Sequence, residues 1–308
     1  MHLNPLTFRT IGRLAFTCET GIYVGAGGEG LYKTPLKIGD MLLIPATTWK
    51  GVFRALSERI IKSMRLDGVQ STLRELYYED GGEYFRIDGE VLKEHVNALR
   101  EYLARRYGGV MSALRQLAAG NGELVREIEG LRDGESMCKY LFGRGRTLLQ
   151  RYLGMLYPIT SLYGSQGVAG KVRFLDTLAK AYSYFKPGVG IDRKTMTAAE
   201  GRLYIIETLI PQDGSITLRI LVDNVERGTL EARVLAATLR YVESEGLEVG
   251  GSRSRGIGHL ELQADKSYFR VLNLSEKTDL PTMLKQLASP ASWKTYSLKQ
   301  FIREVLAG

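Results

Sequence analysis

The stretch that decides the fold is LEARVLAATLRYVESEGLEVGGSRSRGIGHLELQ, residues 230–263. Apolar residues recur at helical spacing from Leu230 to Val242, which predicts an amphipathic helix over residues 230–246. A run of glycines and arginines follows, and HLELQ then has the pattern of a strand. A dinucleotide-binding loop of the Rossmann type runs from a strand into a helix, whereas this loop runs from a helix into a strand. The segment therefore predicts the last helix and the last strand of an α+β domain.

The N-terminal part of the sequence predicts the first elements of the same domain. LTFRTIGRLAF (residues 6–16) is rich in strand-forming residues and alternates in part, which predicts the opening strand. LLIP predicts a short strand that ends at Pro45, after which the apolar residues take helical spacing. A helix is predicted through ATTWKGVFRALSERIIKSM (residues 46–64), with Thr47 or Thr48 as its N-cap.

Strand patterns return in the second half of the chain. KVRFLD (171–176), RLYIIETLIP (202–211) and SITLRILVD (215–223) all read as strands, and the QDG between the last two predicts a hairpin. YFKPGVGIDRKTMTAAEG is rich in turn residues and poor in buried types, so it predicts a projecting hairpin over about 184–203.

Between these two parts, residues 65–159 consist of charged helical runs broken by glycines, which predict a helical insertion. Without the insertion, the order is strand, helix, strand, hairpin pair, helix, strand. This order predicts an α+β fold with a ferredoxin-like (RRM-like) βαββαβ core over residues 1–64 and 160–270, followed by a helical tail over 271–308. Such a sheet leaves one face free, and RNA commonly binds a face of this kind.

The charge balance favours a polyanionic partner. The chain has 42 Lys and Arg against 34 Asp and Glu, which gives a net charge of +8 and a pI near 9.3. Nucleic acids bind such surfaces because each phosphate neutralised by Lys or Arg releases condensed counterions. A basic surface that binds no polyanion is the alternative.

Cysteine and histidine usage argues against a disulfide framework or a zinc site. Cys18 and Cys138 are far apart in sequence, and His2, His95 and His259 are scattered. The N-terminus lacks the apolar run of a signal peptide, and no stretch reaches the ~18 apolar residues of a membrane span. We therefore expect a cytoplasmic protein without a metal site or a membrane contact. The Lys-, Glu- and Arg-rich, Cys-poor composition is typical of a thermophile.

IPATTWKGVFR (residues 44–54) places two cations near the start of a helix. Lys50 and Arg54 lie one turn apart on one face, and Gly51 between them allows a close approach to the backbone. The backbone N–H groups at a helix start favour an anion. The alternative is an ordinary capped helix whose Lys and Arg are solvated.

Two further segments have the residue types of a nucleic-acid contact. GGSRSRGIG (residues 250–258) holds four glycines and two arginines in nine residues, so its amides and guanidiniums can bind phosphates. In FKPGVGIDRKTMTAAEGRLY (residues 185–204), Met196 stands among polar residues, as a residue that wedges against a base does. A plain turn and an ordinary surface hairpin are the alternatives.

In combination and in order, these segments resemble the RAMP superfamily, in particular the repeated backbone subunits of type III CRISPR complexes. The resemblance rests on four motifs: IPxxxxKGxxR (44–54), GxVRFLDT (170–177), GIDRKTxTAAEGRLY (190–204) and GGxRxRGxG (250–258). It covers the first 55 or so residues and residues 160–262, and it does not cover the insertion. Residues 46–49, Ala-Thr-Thr-Trp, stand where family members often have a Gly-Ser-Ser-Leu-like run.

The resemblance implies a subunit that binds CRISPR guide RNA and its duplex with target RNA in antiviral defence. It also implies assembly with other RAMP subunits and with a large polymerase-like subunit. In such proteins the first helix and the glycine-rich loop touch the RNA backbone, and a thumb hairpin pushes between bases. This assigns RNA binding to Lys50, Gly51, Arg54, Ile191, Asp192, Arg193, Lys194, Met196, Gly250, Gly251, Arg253, Arg255, Gly256 and His259.

The resemblance also bears on RNA cleavage. Some members cut target RNA with an Asp before the IPxxxxKG motif, and alignment on Pro35 puts Lys33 at that position. Because a lysine cannot serve as that carboxylate, we expect a binding subunit without catalytic residues or a cofactor. Asp40 and Glu29 are weak candidates for a replacement, and Asp40 reads more naturally as a turn residue. The alternative is a Mg²⁺-dependent endoribonuclease.

Two other functions stay open at this point. Guide-RNA-processing endonucleases of the same superfamily often use a histidine as general base, and His259 follows the Gly/Arg loop but has no obvious partner. A scaffolding subunit that uses the Gly/Arg loop only for contacts with other subunits is the second possibility.

Overall fold

The computed structural model describes residues 6–25, 32–79, 81–82, 85–274 and 279–307. The chain divides into two compact units: one comprises Thr7–Ser57 and Val172–Gly308, and the other comprises Met1–Leu6 and Glu58–Lys171. Among the residues that the structure describes, no helix is long and apolar enough to cross a membrane.

The described residues form both strands and helices. The strands are β1 (Phe8–Thr17), β2 (Tyr32–Lys33), β3 (Lys37–Ile38), β4 (Met41–Ile44), β5 (Val172–Phe174), β6 (Thr177–Ile191), β7 (Ala198–Pro211), β8 (Ser215–Asp223), β9 (Leu247–Glu248), β10 (His259–Asn273) and β11 (Lys294–Ser297). The helices are α1 (Ala46–Ser63), α2 (Val69–Tyr78), α3 (Glu90–Arg105), α4 (Tyr107–Ala118), α5 (Gly122–Glu129), α6 (Gly134–Leu141), α7 (Arg146–Leu156), α8 (Pro158–Tyr163), α9 (Leu230–Glu245), α10 (Leu280–Ala288) and α11 (Leu298–Gln300). Short 3₁₀ turns cover Arg253–Arg255 and Pro290–Ser292, and a π-helical turn covers Phe301–Leu306.

The sheet-bearing unit contains the predicted ferredoxin-like core. Its main sheet has the order β11–β10–β1–β8–β5, and all neighbouring strands in it are antiparallel. With β1, β5, β8 and β10 as the four core strands, this is the order 4-1-3-2 of a βαββαβ fold, in which α1 and α9 are the two helices. The predicted α+β class and ferredoxin-like core are therefore confirmed.

Alternation along the strands gives the main sheet one apolar face. Leu14 and Phe16 of β1 and Leu218 of β8 are fully buried. Gly12 allows the closest packing, because a Cβ there would lie 2.7 Å from side-chain atoms of both Ile220 and Phe269. This face is the core of the unit.

The first helix packs on that core through aromatic side chains. The Trp49 ring stacks on Phe16 with centroids 5.8 Å apart, and its Nε1 donates to the Thr177 hydroxyl at 3.1 Å. The hydroxyls of Ser57 and Thr238 are 2.7 Å apart and join α1 to α9. These buried polar groups are hydrogen-bonded within the unit, and the bonds offset the cost of removing the groups from water.

The second sheet differs from the sequence prediction. Its order is β2–β7–β6–β4–β3, and β6 with β7 forms a hairpin longer than the predicted 184–203. The predicted hairpin between RLYIIETLIP and SITLRILVD is wrong, because β7 pairs with β6 while β8 pairs with β1 and β5. The apolar residues of β8 favour this pairing, since Leu218, Ile220 and Val222 are buried in the position that β8 takes beside β1. The Gln-Asp-Gly turn at 212–214 thus moves the chain from one sheet to the other.

The C-terminal residues differ in part from the helical tail that the sequence predicts over 271–308. β10 extends to Asn273, and β11 adds a strand at its edge, with Tyr268 opposite Ser297. The Phe301 ring stacks on Phe269 with centroids 4.0 Å apart. Packing against the sheet edge therefore overrides local helical preference in the segment just before α11.

The other unit is helical over α2 to α8. Tyr77, Phe85 and Tyr157 form its aromatic centre, with ring centroids between 4.9 and 5.9 Å apart. Asn121 caps α5, and Asp133 caps α6 with a capping box. The domain limits predicted from the sequence, 65–159 for an insertion between 1–64 and 160–270, stay a prediction.

Candidate nucleic-acid interface

The start of α1 is arranged differently from the sequence prediction. The helix begins at Ala46, so Thr47 and Thr48 lie inside it and neither is the N-cap. The backbone N–H of Ala46 donates to the Asp176 carboxylate at 2.6 Å. A carboxylate of the chain itself therefore already holds the first amide of this helix, and anion binding here depends on side chains.

Lys50 and Arg54 are those side chains. They lie one turn apart on α1, both partly exposed. Burial lowers the pKa of Lys50, and the neighbouring charge of Arg54 lowers it further. A phosphate beside this pair would offset the repulsion between Lys50 and Arg54. Gly51 between them is exposed, and a Cβ there would meet nothing within 4 Å.

Some glycines of the Gly/Arg loop (residues 250–258) are needed for the loop to fold. Gly250 has φ +88, and a Cβ there would overlap the backbone carbonyl of Tyr23. The Gly251 N–H donates to that same carbonyl at 2.8 Å. A Cβ at Gly258 would likewise overlap the backbone carbonyl of Val249. These contacts hold the loop against the segment after β1. Gly256, by contrast, has φ +70 and open space where a Cβ would point.

The loop presents its arginines on an exposed 3₁₀ turn, Arg253–Arg255. The Arg255 guanidinium lies over the Tyr204 ring, 4.4 Å from its centroid, and Lys33 Nζ lies 5.8 Å from the same centroid. Lys186 Nζ donates to the Arg255 carbonyl at 2.8 Å. Two cations thus lie over one aromatic ring, and a third, Lys186, binds the backbone of Arg255, where the Gly/Arg loop meets the β6–β7 hairpin. We call these four residues the Tyr204 cluster.

The hairpin tip is a tight turn built by Asp192. Its carboxylate accepts from the backbone N–H groups of Lys194 at 2.7 Å and Thr195 at 3.2 Å. These two hydrogen bonds hold the pKa of the Asp192 carboxyl below its usual value. Arg193 and Lys194 are exposed. Asp192 therefore shapes the turn that displays the two cations, and a direct RNA contact by its carboxylate stays a prediction.

Met196 is the most exposed large apolar residue described. Its side chain is 77% exposed, and its φ is +56, which is uncommon for any residue other than glycine, asparagine or aspartate. Its N–H donates to the Asp192 carbonyl at 2.8 Å. Ile191, which precedes the turn opposite Ala198, is 58% exposed. The turn thus holds an apolar side chain out in water at a conformational cost, as a wedge between bases requires.

Exposed apolar side chains also run down the hairpin from its tip. They include Tyr182, Tyr184, Phe185, Val189 and Leu203. Aromatic rings at the surface offer stacking platforms for bases, whereas a hairpin with no partner gains nothing from them.

The candidate catalytic residues are not gathered into a site. Asp40 lies in the turn between β3 and β4, where its carbonyl accepts from the Ala181 N–H at 3.1 Å. Glu29 and also His2 lie outside the described residues. His259 begins β10, with its Nε2 3.9 Å from a Glu261 carboxylate oxygen. Within the described ranges, no group of three or more His, Cys, Asp and Glu side chains is placed to hold a metal ion.

The structure unites two of the three predicted segments and adds residues to them. Arg255 of the loop meets the hairpin at Tyr204 and Lys186, which the sequence analysis did not single out as contacts. Tyr204 ends the GIDRKTxTAAEGRLY motif, so its position was visible, but its meeting with Arg255 depends on tertiary structure. Lys50 and Arg54 form a separate pair on α1. The roles of the predicted RNA-binding residues stay predictions.

Comparison with known proteins gives the family. A family model described as the RAMP superfamily matches residues 15–261. A search among curated proteins finds no match. Members of this superfamily are generally CRISPR-associated RNA-binding proteins that act in multi-subunit complexes. The match spans most of the chain of 308 residues, and it includes α1, the β6–β7 hairpin and the Gly/Arg loop. The chain therefore belongs to the RAMP superfamily.

Proposed function

We propose that this protein is the guide-RNA-binding subunit of a type III CRISPR interference complex. It holds the backbone of the guide RNA and the duplex of guide with target RNA in antiviral defence. The observation that carries the proposal is the Tyr204 cluster, where Arg255 and Lys33 lie over one aromatic ring midway along an exposed hairpin and Lys186 binds the Arg255 backbone. An aromatic ring holds the cations that lie over it in fixed positions, from which they can bind the phosphates of an RNA backbone.

The pair on α1 supplies a second backbone contact. Burial and the neighbouring charge of Arg54 lower the pKa of Lys50, and a bound phosphate relieves the repulsion between the two cations. Gly51 leaves the helix surface between them open, so an RNA backbone approaches the helix closely there. A glycine at an exposed position inside a helix costs about 0.5–1 kcal/mol relative to alanine, which makes such a functional reason the natural one.

The hairpin tip acts on the guide–target duplex. Met196 and Ile191 wedge between bases, while Arg193 and Lys194 contact the flanking phosphates. Asp192 keeps the turn in the shape that displays them.

The subunit binds RNA without cutting it. Lys33 stands where cleaving relatives have their aspartate by the resemblance, and it belongs to the Tyr204 cluster. The alternative is a Mg²⁺-dependent endoribonuclease in which Asp40 or Glu29 replaces that aspartate. Cleavage of a guide-complementary RNA by the assembled complex, abolished by Asp40→Ala or Glu29→Ala, would overturn the proposal. Guide-RNA processing by His259 is a weaker alternative, because its nearest charged neighbour is a glutamate 3.9 Å away.

The partners we propose are other RAMP subunits and a large polymerase-like subunit, in the cytoplasm. Helix α10 supports a protein contact, since none of its residues is buried and Leu280 and Leu284 lie exposed one turn apart. A purely scaffolding subunit would share this feature. RNA binding distinguishes the two.

The decisive experiment is a filter-binding titration of a guide-length RNA across a series of NaCl concentrations. We expect affinity to fall steeply with salt, and Lys50→Ala and Arg255→Ala each to weaken binding and reduce the salt slope by about 0.7. Arg115→Ala, at an exposed position on α4, is the matched control and should bind as the unchanged protein does. Affinity indifferent to both salt and the two substitutions would favour the scaffolding role.

A further inference from the structure

The face of the main sheet opposite its core carries arginines. Alternation places Thr10 and Gly12 of β1 on the buried face, so Arg9, Ile11 and Arg13 point to the other side. The pairing register puts Arg219 of β8 on that same side, directly opposite Arg13.

The register arranges these side chains in rows across the strands. One row runs from Tyr268 on β10 through Arg13 on β1 to Arg219 on β8. The next row, two residues further along the strands and so about 7 Å away, holds Arg270, Ile11, Leu221 and Arg173. Tyr268 and Arg270 are in contact, with the guanidinium 5.3 Å from the ring centroid.

Among the described residues, the carboxylate that binds arginines of this face is Asp223, opposite Arg9. It is buried and already binds Arg9 through two hydrogen bonds of 2.7 and 2.9 Å and Arg173 through a third. Arg13 and Arg219 are exposed, and neither has an ion-pair partner among the described residues. The Nε of Arg270 is buried and lacks a hydrogen-bond acceptor in the described part of the chain. Like charges directly opposite each other destabilise a sheet, so folding alone does not favour this arrangement.

We propose that this face, formed by Arg13, Arg219, Arg270 and Tyr268, is a second nucleic-acid site that binds single-stranded RNA. The guanidiniums bind phosphates with paired N–H donors, and the Tyr268 ring stacks on a base. The strand must be single, because stacking on a sheet surface requires an unpaired base. An acidic protein fits less well, since the apolar residues between the arginines, Ile11 and Leu221, are only partly exposed and offer little to anchor it.

The inference takes RNA as the polyanion from the proposed function, but its residues are separate from Lys50, Arg54 and the Tyr204 cluster. The test compares the double variant Arg13→Ala/Arg219→Ala with a matched control, Arg233→Ala/Arg240→Ala. The control removes two exposed arginines from α9, which packs on the opposite face of the sheet. The probe is a guide-length single-stranded RNA in filter binding across NaCl concentrations.

We expect the sheet-face variant to bind at least ~10-fold more weakly and to lose about 1.4 from the salt slope, at about 0.7 for each phosphate contact on a single strand. The α9 control should match the unchanged protein. Thermal unfolding serves as the folding check, because removal of the Arg13–Arg219 repulsion leaves the melting temperature unchanged or higher. An affinity and a salt slope equal to those of the control would overturn the inference.

The outcomes also distinguish this inference from the proposed function. If Lys50→Ala and Arg255→Ala weaken RNA binding and the sheet-face variant does not, the second site is excluded and the proposed function stands. If only the sheet-face variant weakens binding, the proposed function loses its site and the second site stands. Binding of polyglutamate that depends equally on Arg13 and Arg219 would show a general anion or protein contact and would overturn the RNA assignment.

Discussion

Gly188 and Tyr204 lie opposite each other on β6 and β7, and the Tyr204 ring covers the glycine so closely that a Cβ at 188 would overlap it. Aromatic rings often cover a cross-strand glycine in this way. The position of the ring matters because Arg255 and Lys33 lie against it. A glycine in a strand, which usually weakens the sheet, here sets where the cations converge.

Gly188→Ala should therefore displace the Tyr204 ring and weaken RNA binding. The new methyl group and the ring cannot share the space, so the contact between the ring and Arg255 is lost. We expect a ~10-fold loss of affinity for guide RNA by filter binding, similar to the loss caused by Tyr204→Ala. Gly108→Ala, where a Cβ meets nothing within 4 Å, is the control and should bind normally. Full affinity of Gly188→Ala would show that the Tyr204 cluster does not bind RNA.

Gly51→Ala should stabilise the protein and weaken RNA binding at the same time. Alanine favours a helix interior by about 0.5–1 kcal/mol over glycine, and the chain leaves room for the methyl group. The same methyl group would stand between Lys50 and Arg54, where we propose that the RNA backbone lies. Urea unfolding measures the first effect and filter binding the second. A variant that gains stability and keeps its affinity would remove α1 from the RNA site.

Met196→Gly should separate duplex binding from single-strand binding. Glycine adopts φ +56 without strain, so we expect stability to be unchanged or slightly higher. The variant loses the apolar wedge, so affinity for a guide–target duplex should fall while affinity for the guide alone is kept. Equal affinities of the variant and the unchanged protein for the duplex would argue against a wedge at the hairpin tip.

Asp223→Asn should destabilise the main sheet. The carboxylate binds Arg9 and Arg173 and so joins β8 to β1 and β5. Both arginines are partly exposed, at 29% and 44%, so water compensates part of the loss and we expect about 2 kcal/mol. The measurement is urea unfolding, with Arg219→Ala on the same strand as the control. A loss below about 0.5 kcal/mol would mean that the ion pairs contribute little.

Lowering the pH should destabilise the second sheet, because Glu207 then becomes protonated. Burial raises the pKa of this carboxyl, but hydrogen bonds from Lys37 at 2.8 Å and Ser183 at 2.6 Å outweigh burial, and the pKa ends below its usual 4.5. Because the pKa is lower in the folded state, the stability from this group is fully present above pH 4.5. That stability is lost as the pH falls through the folded-state pKa.

The check is the urea midpoint of unfolding measured between pH 6 and pH 3. The unchanged protein should lose more stability over this range than Glu207→Gln, whose side chain does not titrate. Parallel losses in the two proteins would show that Glu207 does not contribute to acid sensitivity.

The local pattern of the sequence was sufficient to predict the helices and strands of the ferredoxin-like core. Helical spacing at Val52, Leu56 and Ile60, with Phe53 alongside, predicted α1, and the strand-type residues of SITLRILVD predicted β8. These predictions succeeded because each element buries one face, and burial is visible as periodicity along the chain. The RNA-binding candidates were visible for a related reason, since glycines and cations in exposed loops stand out against a buried core.

Which strands pair, and which residues distant in sequence meet, depended on tertiary structure. QDG between two strands predicts a hairpin, yet β7 joins β6 and β8 joins β1, because Leu218, Ile220 and Val222 are buried beside β1. The Tyr204 cluster draws on β2, β6, β7 and the Gly/Arg loop, which are far apart in sequence. The residue types of the proposed RNA-binding segments could thus be predicted from sequence. Only the packing of distant strands decided which of them meet, since no local signal encodes the register between strands.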